Sequence, residues 1–171
     1  MPQQHAASSR PAAGGQGGRR RKILVSAAAA IILLAIAALV SYPNPQREAP
    51  SYFTFDNQSY RFTSAALTLQ QQEHGLMNSS VTSNTFELFV FDKPSIYPFW
   101  MKDTYSPLDI IWVNGSRVVY MVNATPCVDY SPDQSSCALY VPRANANYVI
   151  ETQAGFVNRT GMKVGSSVYI H

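Results

Sequence analysis

The chain has 171 residues, 46% of them hydrophobic and 12% aromatic, with two cysteines and a formal net charge of +3. That charge is uneven: Arg10, Arg19, Arg20, Arg21, Lys22 and Arg47 stand against Glu48 alone before residue 50, whereas residues 50–171 carry seven Lys or Arg against nine Asp or Glu. The length holds one domain of about 120 residues able to bury its own core, and that domain lacks the basic stripe needed to neutralise phosphates, which excludes nucleic acid as a partner.

Residues 1–22 are rich in Gln, Ala, Ser and Gly and end in the basic run Arg19-Arg20-Arg21-Lys22. Such a segment buries too little apolar surface to offset its ordering entropy, and it reads as a disordered cytoplasmic tail. Residues 23–40, Ile23 to Val40, contain no charge and only Ser26 as a polar side chain. As a helix they would span about 27 Å, close to the thickness of a hydrocarbon core. A cleaved signal peptide is the competing reading, supported by the small-residue pair Ala35 and Ala37. The apolar run continues past that pair to Val40, which favours an uncleaved single-pass anchor in the cell membrane. With basic residues inside, the C-terminal domain is extracytoplasmic. Residues 41–50 hold Pro43, Pro45 and Pro50 and read as a stiff linker.

The domain proper, residues 51–171, opens with two short strands around Asp56-Asn57, a pair that tolerates the positive φ of a hairpin turn. Thr68 followed by Gln71 fits a capping box, so a short helix through His74 is expected, closed by Gly75 in a left-handed conformation. The run 87–91 has Leu88 and Val90 on one face and Phe89 and Phe91 on the other, the mark of a strand covered on both sides. Strands are expected again at 99–104, 108–113 and 118–122, with Asn114-Gly115 as a strong turn signal. The stretch 123–146 is a polar excursion, 148–152 returns to strand, 156–160 fits one or two helical turns stopped at Gly161, and 168–170 closes the chain. The fold class is mainly β with one or two short helices, an antiparallel sandwich or distorted barrel behind a single N-terminal transmembrane helix.

Several blocks occur together in a fixed order: Gly75-Leu76-Met77, Leu88-Phe89-Val90-Phe91, Phe99-Trp100-Met101-Lys102-Asp103-Thr104, Pro107-Leu108-Asp109-Ile110-Ile111, Pro126-Cys127, Tyr148-Val149-Ile150-Glu151, Ala154-Gly155-Phe156 and Gly161-Met162-Lys163-Val164-Gly165. In this order the chain resembles the membrane-associated domain-of-unknown-function family 192, DUF192. The resemblance implies a compact, mostly β domain behind a signal or anchor, with no established activity. Three positions depart from the family pattern: Asn78-Ser79-Ser80 stands where an Arg is usual, Asp103 replaces Asn, and Ser166 replaces Asp.

The charges beside Tyr105-Ser106-Pro107 are legible through hairpin register. A two-residue loop sets Lys102 opposite Asp109, an ion pair that fixes register; a three-residue loop sets Asp103 opposite Asp109, a carboxylate dyad of the kind used in acid and base catalysis. The ion pair is the favoured reading, since opposed like charges destabilise a sheet. Tyr97 and Trp100 offer an aromatic platform for a ligand, with Lys102, Asp109 and Glu151 as neighbouring polar groups, although aromatics in a β domain are mostly core. His74 is the one histidine inside the domain apart from the terminal His171, so no zinc set can be assembled, and no cofactor motif is present.

Cys127 and Cys137, in a polar loop on the outer side, read as a disulfide rather than a redox pair, because the C-x-x-C spacing is missing. Asn57, Asn78, Asn114, Asn123 and Asn158 each begin an Asn-x-Ser/Thr sequon and are glycosylation candidates. The sequence thus favours a membrane-tethered module that binds an envelope glycan, a small polar ligand or a partner protein. A hydrolase or isomerase using Asp103 and Asp109 is the alternative.

Overall fold

The computed structural model describes residues 48–128 and 137–171. The expected tail, the candidate span 23–40 and the linker up to residue 47 lie outside the described residues. No helix among the described residues is long and apolar enough to cross a membrane.

Among the described residues, ten strands and two short helices build the domain, forming three sheets and closing no barrel. The strands β1 (Tyr52–Phe55) and β2 (Gln58–Arg61) form the expected hairpin, with Asp56 and Asn57 both at positive φ in the turn. The closing strand β10 (Tyr169–Ile170) joins β1 on its other edge. This small sheet is antiparallel throughout.

The larger sheet has five strands in the order β3, β4, β9, β6, β7: β3 (Ser64–Ala66), β4 (Phe86–Ser95), β6 (Leu108–Asn114), β7 (Arg117–Ala124) and β9 (Ala146–Gln153). All its neighbours are antiparallel except β3 and β4. A parallel pair needs a crossover, and α1 (Leu69–His74) supplies it. The capping box at its start is formed: the Gln71 amide donates to the Thr68 hydroxyl at 3.3 Å, and the Thr68 amide donates to Gln71 Oε1 at 2.9 Å. Gly75 ends the helix at φ 48°, ψ −135°. Its φ is positive as expected, but its ψ lies outside the left-handed helical well, in a region open to glycine alone.

The five-stranded sheet is buried on both faces. On one, Leu88, Val90, Ile111, Val113 and Ile150 meet Phe53 of the small sheet, Phe62 just after it, and Phe156 of α2 (Phe156–Thr160). On the other, Phe89, Ile110, Trp112 and Val149 meet Leu76, Phe99 and Met101. This double cover is why β4, β6 and β9 read as nearly continuous apolar runs rather than alternating ones.

The hairpin expected at Tyr105-Ser106 does not form. The strand at 99 is only two residues long, β5 (Phe99–Trp100), and pairs with β8 (Leu139–Tyr140) of the polar excursion. After it the chain turns sharply, the Thr104 amide donating to the Met101 carbonyl at 3.1 Å and Asp103 taking φ 49°. Pro107 then removes a ladder donor before β6 starts. The excursion is held against this turn by the Cys127–Cys137 disulfide and by bridges from Cys127 to Lys102 and Thr104. The Asn114-Gly115 signal marks a real hairpin, although Asn114 pairs with Arg117 and the loop itself is Gly115-Ser116.

Candidate functional site

Between α1 and β5 the surface opens into a groove of about 290 Å³ lined by Leu69, Phe91, Tyr97, Phe99, Trp100 and Leu139, with Gln72 and Glu73 at its polar rim. Tyr97 stacks on Phe91 at a centroid distance of 3.6 Å, and its hydroxyl donates to the Lys93 carbonyl at 2.8 Å. The Trp112 indole N–H donates to the Tyr97 carbonyl at 2.9 Å, tying this wall to the core. Phe99 is core, as aromatics in a β domain mostly are. Trp100 is not, because 41% of it is exposed, and Lys102 Nζ sits 5.5 Å from its ring centroid, in cation–π range.

A smaller recess of about 20 Å³, close to the volume one water occupies, continues inward behind Gln72, Glu73, Phe99 and Trp100. Gly75, Thr104 and Glu151 line its inner end. Glycine suits this position: its φ is +48°, and a Cβ on it would press on Phe89 Cζ at 3.2 Å and touch Glu151 Oε2 at 3.6 Å.

Glu151 is 4% exposed and stands directly opposite Glu87, itself 6% exposed, across the β4–β9 ladder. Opposed residues share a face. Burial pushes Glu151 up from 4.5 to about 8, and the Glu87 charge adds to the rise. Burial likewise raises Glu87 to about 7, against the opposing pull of a Ser64 hydrogen bond and the nearby His74. At neutral pH the pair holds protons that isolated glutamates would have lost. Glu87 Oε2 is buried without a hydrogen-bond partner.

The other carboxylate singled out by the sequence is built differently. Asp109 stands opposite Asn123 on β7 and Thr152 on β9, so neither Lys102 nor Asp103 faces it. Its Oδ1 accepts from Asn123 Nδ2 at 2.9 Å, and its Oδ2 accepts from the Val157 amide at 2.9 Å, in the first turn of α2. Asp109 thus ties a helix end to the sheet, and the expected ion pair and the dyad are both corrected. Asp103 serves its turn through its carbonyl, which accepts from the Asn78 amide at 2.8 Å.

Of the sequence-derived ligand residues, the fold brings Tyr97 and Trp100 to the groove, and Trp100, Lys102 and Glu151 to the recess. It leaves Asp109 on the opposite face of the sheet, against α2. Glu87 was not singled out by the sequence; a Glu one residue ahead of an apolar run, on the same face as Phe89, was the available signal. All five sequon asparagines are exposed. Two have engaged side chains, since Asn78 Oδ1 accepts from the Tyr105 hydroxyl at 2.8 Å and the Asn123 amide serves Asp109.

The fold and the site define a mainly β domain with a doubly covered sheet and a pair of buried acids beneath an aromatic groove. The sequence pattern of the DUF192 family, described only as an uncharacterised ACR, matches residues 54–170, and the chain belongs to that family. A protein of unknown function from Novosphingobium aromaticivorans DSM 12444 is similar in structure, with a TM-score of 0.57 and 27% identity over 72% of this chain and 88% of that one. A protein of Sinorhizobium meliloti 1021, described as a candidate transcription regulator, gives a TM-score of 0.58 and 25% identity over 72% of this chain and 97% of that one. No curated protein matches the sequence.

Proposed function

We propose that the protein is a membrane-anchored, extracytoplasmic binding module that takes an envelope glycan in the groove between α1 and β5. The observation that carries this reading is Trp100, a large aromatic ring left 41% exposed beside an apolar groove with Gln72, Glu73 and Lys102 at its edge. A flat apolar face ringed by a few polar groups suits a sugar, whose C–H face stacks while its hydroxyls hydrogen-bond. The uncharged run Ile23–Val40 behind a basic cluster supports the anchor, and the Cys127–Cys137 disulfide suits an oxidising compartment.

The enzymatic alternative on Asp103 and Asp109 has less support, because both carboxylate oxygens of Asp109 are already engaged. Regulation of transcription, the description attached to the Sinorhizobium relative, has little support here either. Residues 50–171 carry more acidic than basic side chains.

The test is tryptophan emission of the full chain, held in a detergent without a sugar headgroup and titrated with cellotetraose and tetra-N-acetylchitotetraose. Trp112 is fully buried, so a saturable change reports Trp100. The change is expected in the native protein and absent in Trp100→Ala. No saturable response to either oligosaccharide rejects the glycan reading.

A further inference from the structure

Two buried acids with unused hydrogen-bonding capacity lie under the proposed glycan groove. A buried polar group left without a partner costs about 1–3 kcal/mol. Glu87 Oε2 is such an orphan, and no hydrogen bond from a described residue reaches the side chain of Glu151. The recess that meets Glu151 shares four walls, Gln72, Glu73, Phe99 and Trp100, with the groove, so one ligand can reach both.

We infer that groove and recess form one site for an N-acylated sugar, whose acyl carbonyl oxygen enters the recess and accepts a hydrogen bond from Glu151 while the ring lies on Trp100. This deepens the glycan reading above and rests on it. The recess admits about one oxygen atom and no ring, so it selects a projecting group. Glu151 opposite Glu87 favours an acceptor in that group: with burial raising Glu151 to about 8, its carboxyl carries a proton to donate at neutral pH. A cationic amino group would instead need the pair ionised. Glu87 is a positioning residue, acting on Glu151 from behind, and Gly75 keeps the recess open.

Several charged or titratable groups lie around the pair, and of these His74 pulls Glu87 down while Glu87 pushes Glu151 up. These are Glu87 on β4, Glu73 and His74 at the end of α1, and Lys102 after β5; Ser64 on β3 hydrogen-bonds Glu87. Lys102 is drawn toward the Trp100 ring. Binding that uses the Glu151 proton is therefore lost as pH rises past about 8.

The experiment compares tetra-N-acetylchitotetraose with cellotetraose, which lacks the acyl group, on the full chain in sugar-free detergent at pH 6.5 and pH 9.5. The acetylated oligomer is expected to bind about tenfold more tightly at pH 6.5, the worth of one good buried hydrogen bond, and to lose that preference at pH 9.5. Glu151→Gln, which keeps an N–H donor at every pH, should retain the preference at both. Glu151→Leu should bind the two alike, with circular dichroism confirming its fold. Equal affinity of the native protein for both oligomers overturns the acyl subsite while leaving the groove as a glycan site. A preference that persists unchanged at pH 9.5 overturns the role of Glu151, and failure to bind either oligomer overturns this inference together with the reading it rests on.

Discussion

The two faces of the five-stranded sheet treat buried acid in opposite ways. On the face toward the small sheet and α2, Asp109 is 4% exposed yet has a donor at each oxygen, Asn123 Nδ2 and the Val157 amide. On the face toward α1, Glu87 and Glu151 are equally buried and oppose one another. One face meets its carboxylate with two hydrogen-bond donors, whereas on the other burial and mutual opposition raise both carboxyls toward the protonated form. The first arrangement fastens secondary structure; the second leaves hydrogen-bonding capacity beside an open groove.

That contrast can be broken most severely at the centre of the face that carries Asp109. Phe53 is fully buried and meets the rings of Tyr60, Phe62, Phe86 and Phe156 at centroid distances of 5.0–6.3 Å. Phe53→Ala should cost about 3–5 kcal/mol, read as a drop in the denaturant midpoint. A loss below about 1 kcal/mol would show that the small sheet packs independently of the large one.

A smaller effect separates the two kinds of acid by pH. Above about pH 8 the Glu87–Glu151 pair is ionised in both folded and unfolded chains, and its burial cost is fully present; below 4.5 both states are protonated and the cost is gone. Stability from this pair therefore rises as pH falls through that window. Glu151→Gln should flatten the dependence and raise the melting temperature at pH 9. An unchanged pH profile would mean that the two carboxyls are ionised in the folded protein at neutral pH.

Asp109→Ala should cost about 2 kcal/mol, because the Val157 amide and the Asn123 side chain both lose their acceptor. Amide exchange should quicken first at the start of α2, and protection there equal to the native protein would show that the helix does not depend on Asp109. The smallest effect is expected at the groove: Trp100→Ala should change stability by less than about 1 kcal/mol, since the residue is 41% exposed and lies outside both core clusters. A large loss there would make Trp100 a structural residue and remove the main support for a glycan site.

Local signals in the sequence carried over well. The Asp56-Asn57 turn, the Thr68–Gln71 capping box, the doubly apolar strand at Leu88 to Phe91 and the helical turns before Gly161 are all in place. Each depends on residues within a few positions of one another. The disulfide between Cys127 and Cys137 was equally legible, there being no other cysteine to choose. Membership of the DUF192 family was also readable from the order of its motifs. Of the site, Tyr97, Trp100, Lys102 and Glu151 were legible as residues worth watching, but not their grouping.

What misled was adjacency. Lys102 and Asp109 sit on either side of a Pro-containing turn and invite a hairpin, yet β5 finds its partner forty residues away in β8, inside a stretch that looked like mere excursion. Partner choice in a sheet depends on which distant strand completes the core, and no local pattern encodes it. The parallel pairing of β3 with β4, which brings α1 and Gly75 over the sheet, was hidden for the same reason.

By itself, then, the sequence determined the family, the mainly β class, the individual turns and caps, and the division between a basic, apolar N-terminal segment and an acidic domain. Those are consequences of composition and of interactions between near neighbours. Only the tertiary structure decided that Asp109 is a fastening and that Glu87 meets Glu151. The register of β4 against β9 puts two carboxyls face to face, and a glycine on a crossing helix leaves room above them. Burial, which sets the charge of those acids, exists only once the strands are assembled.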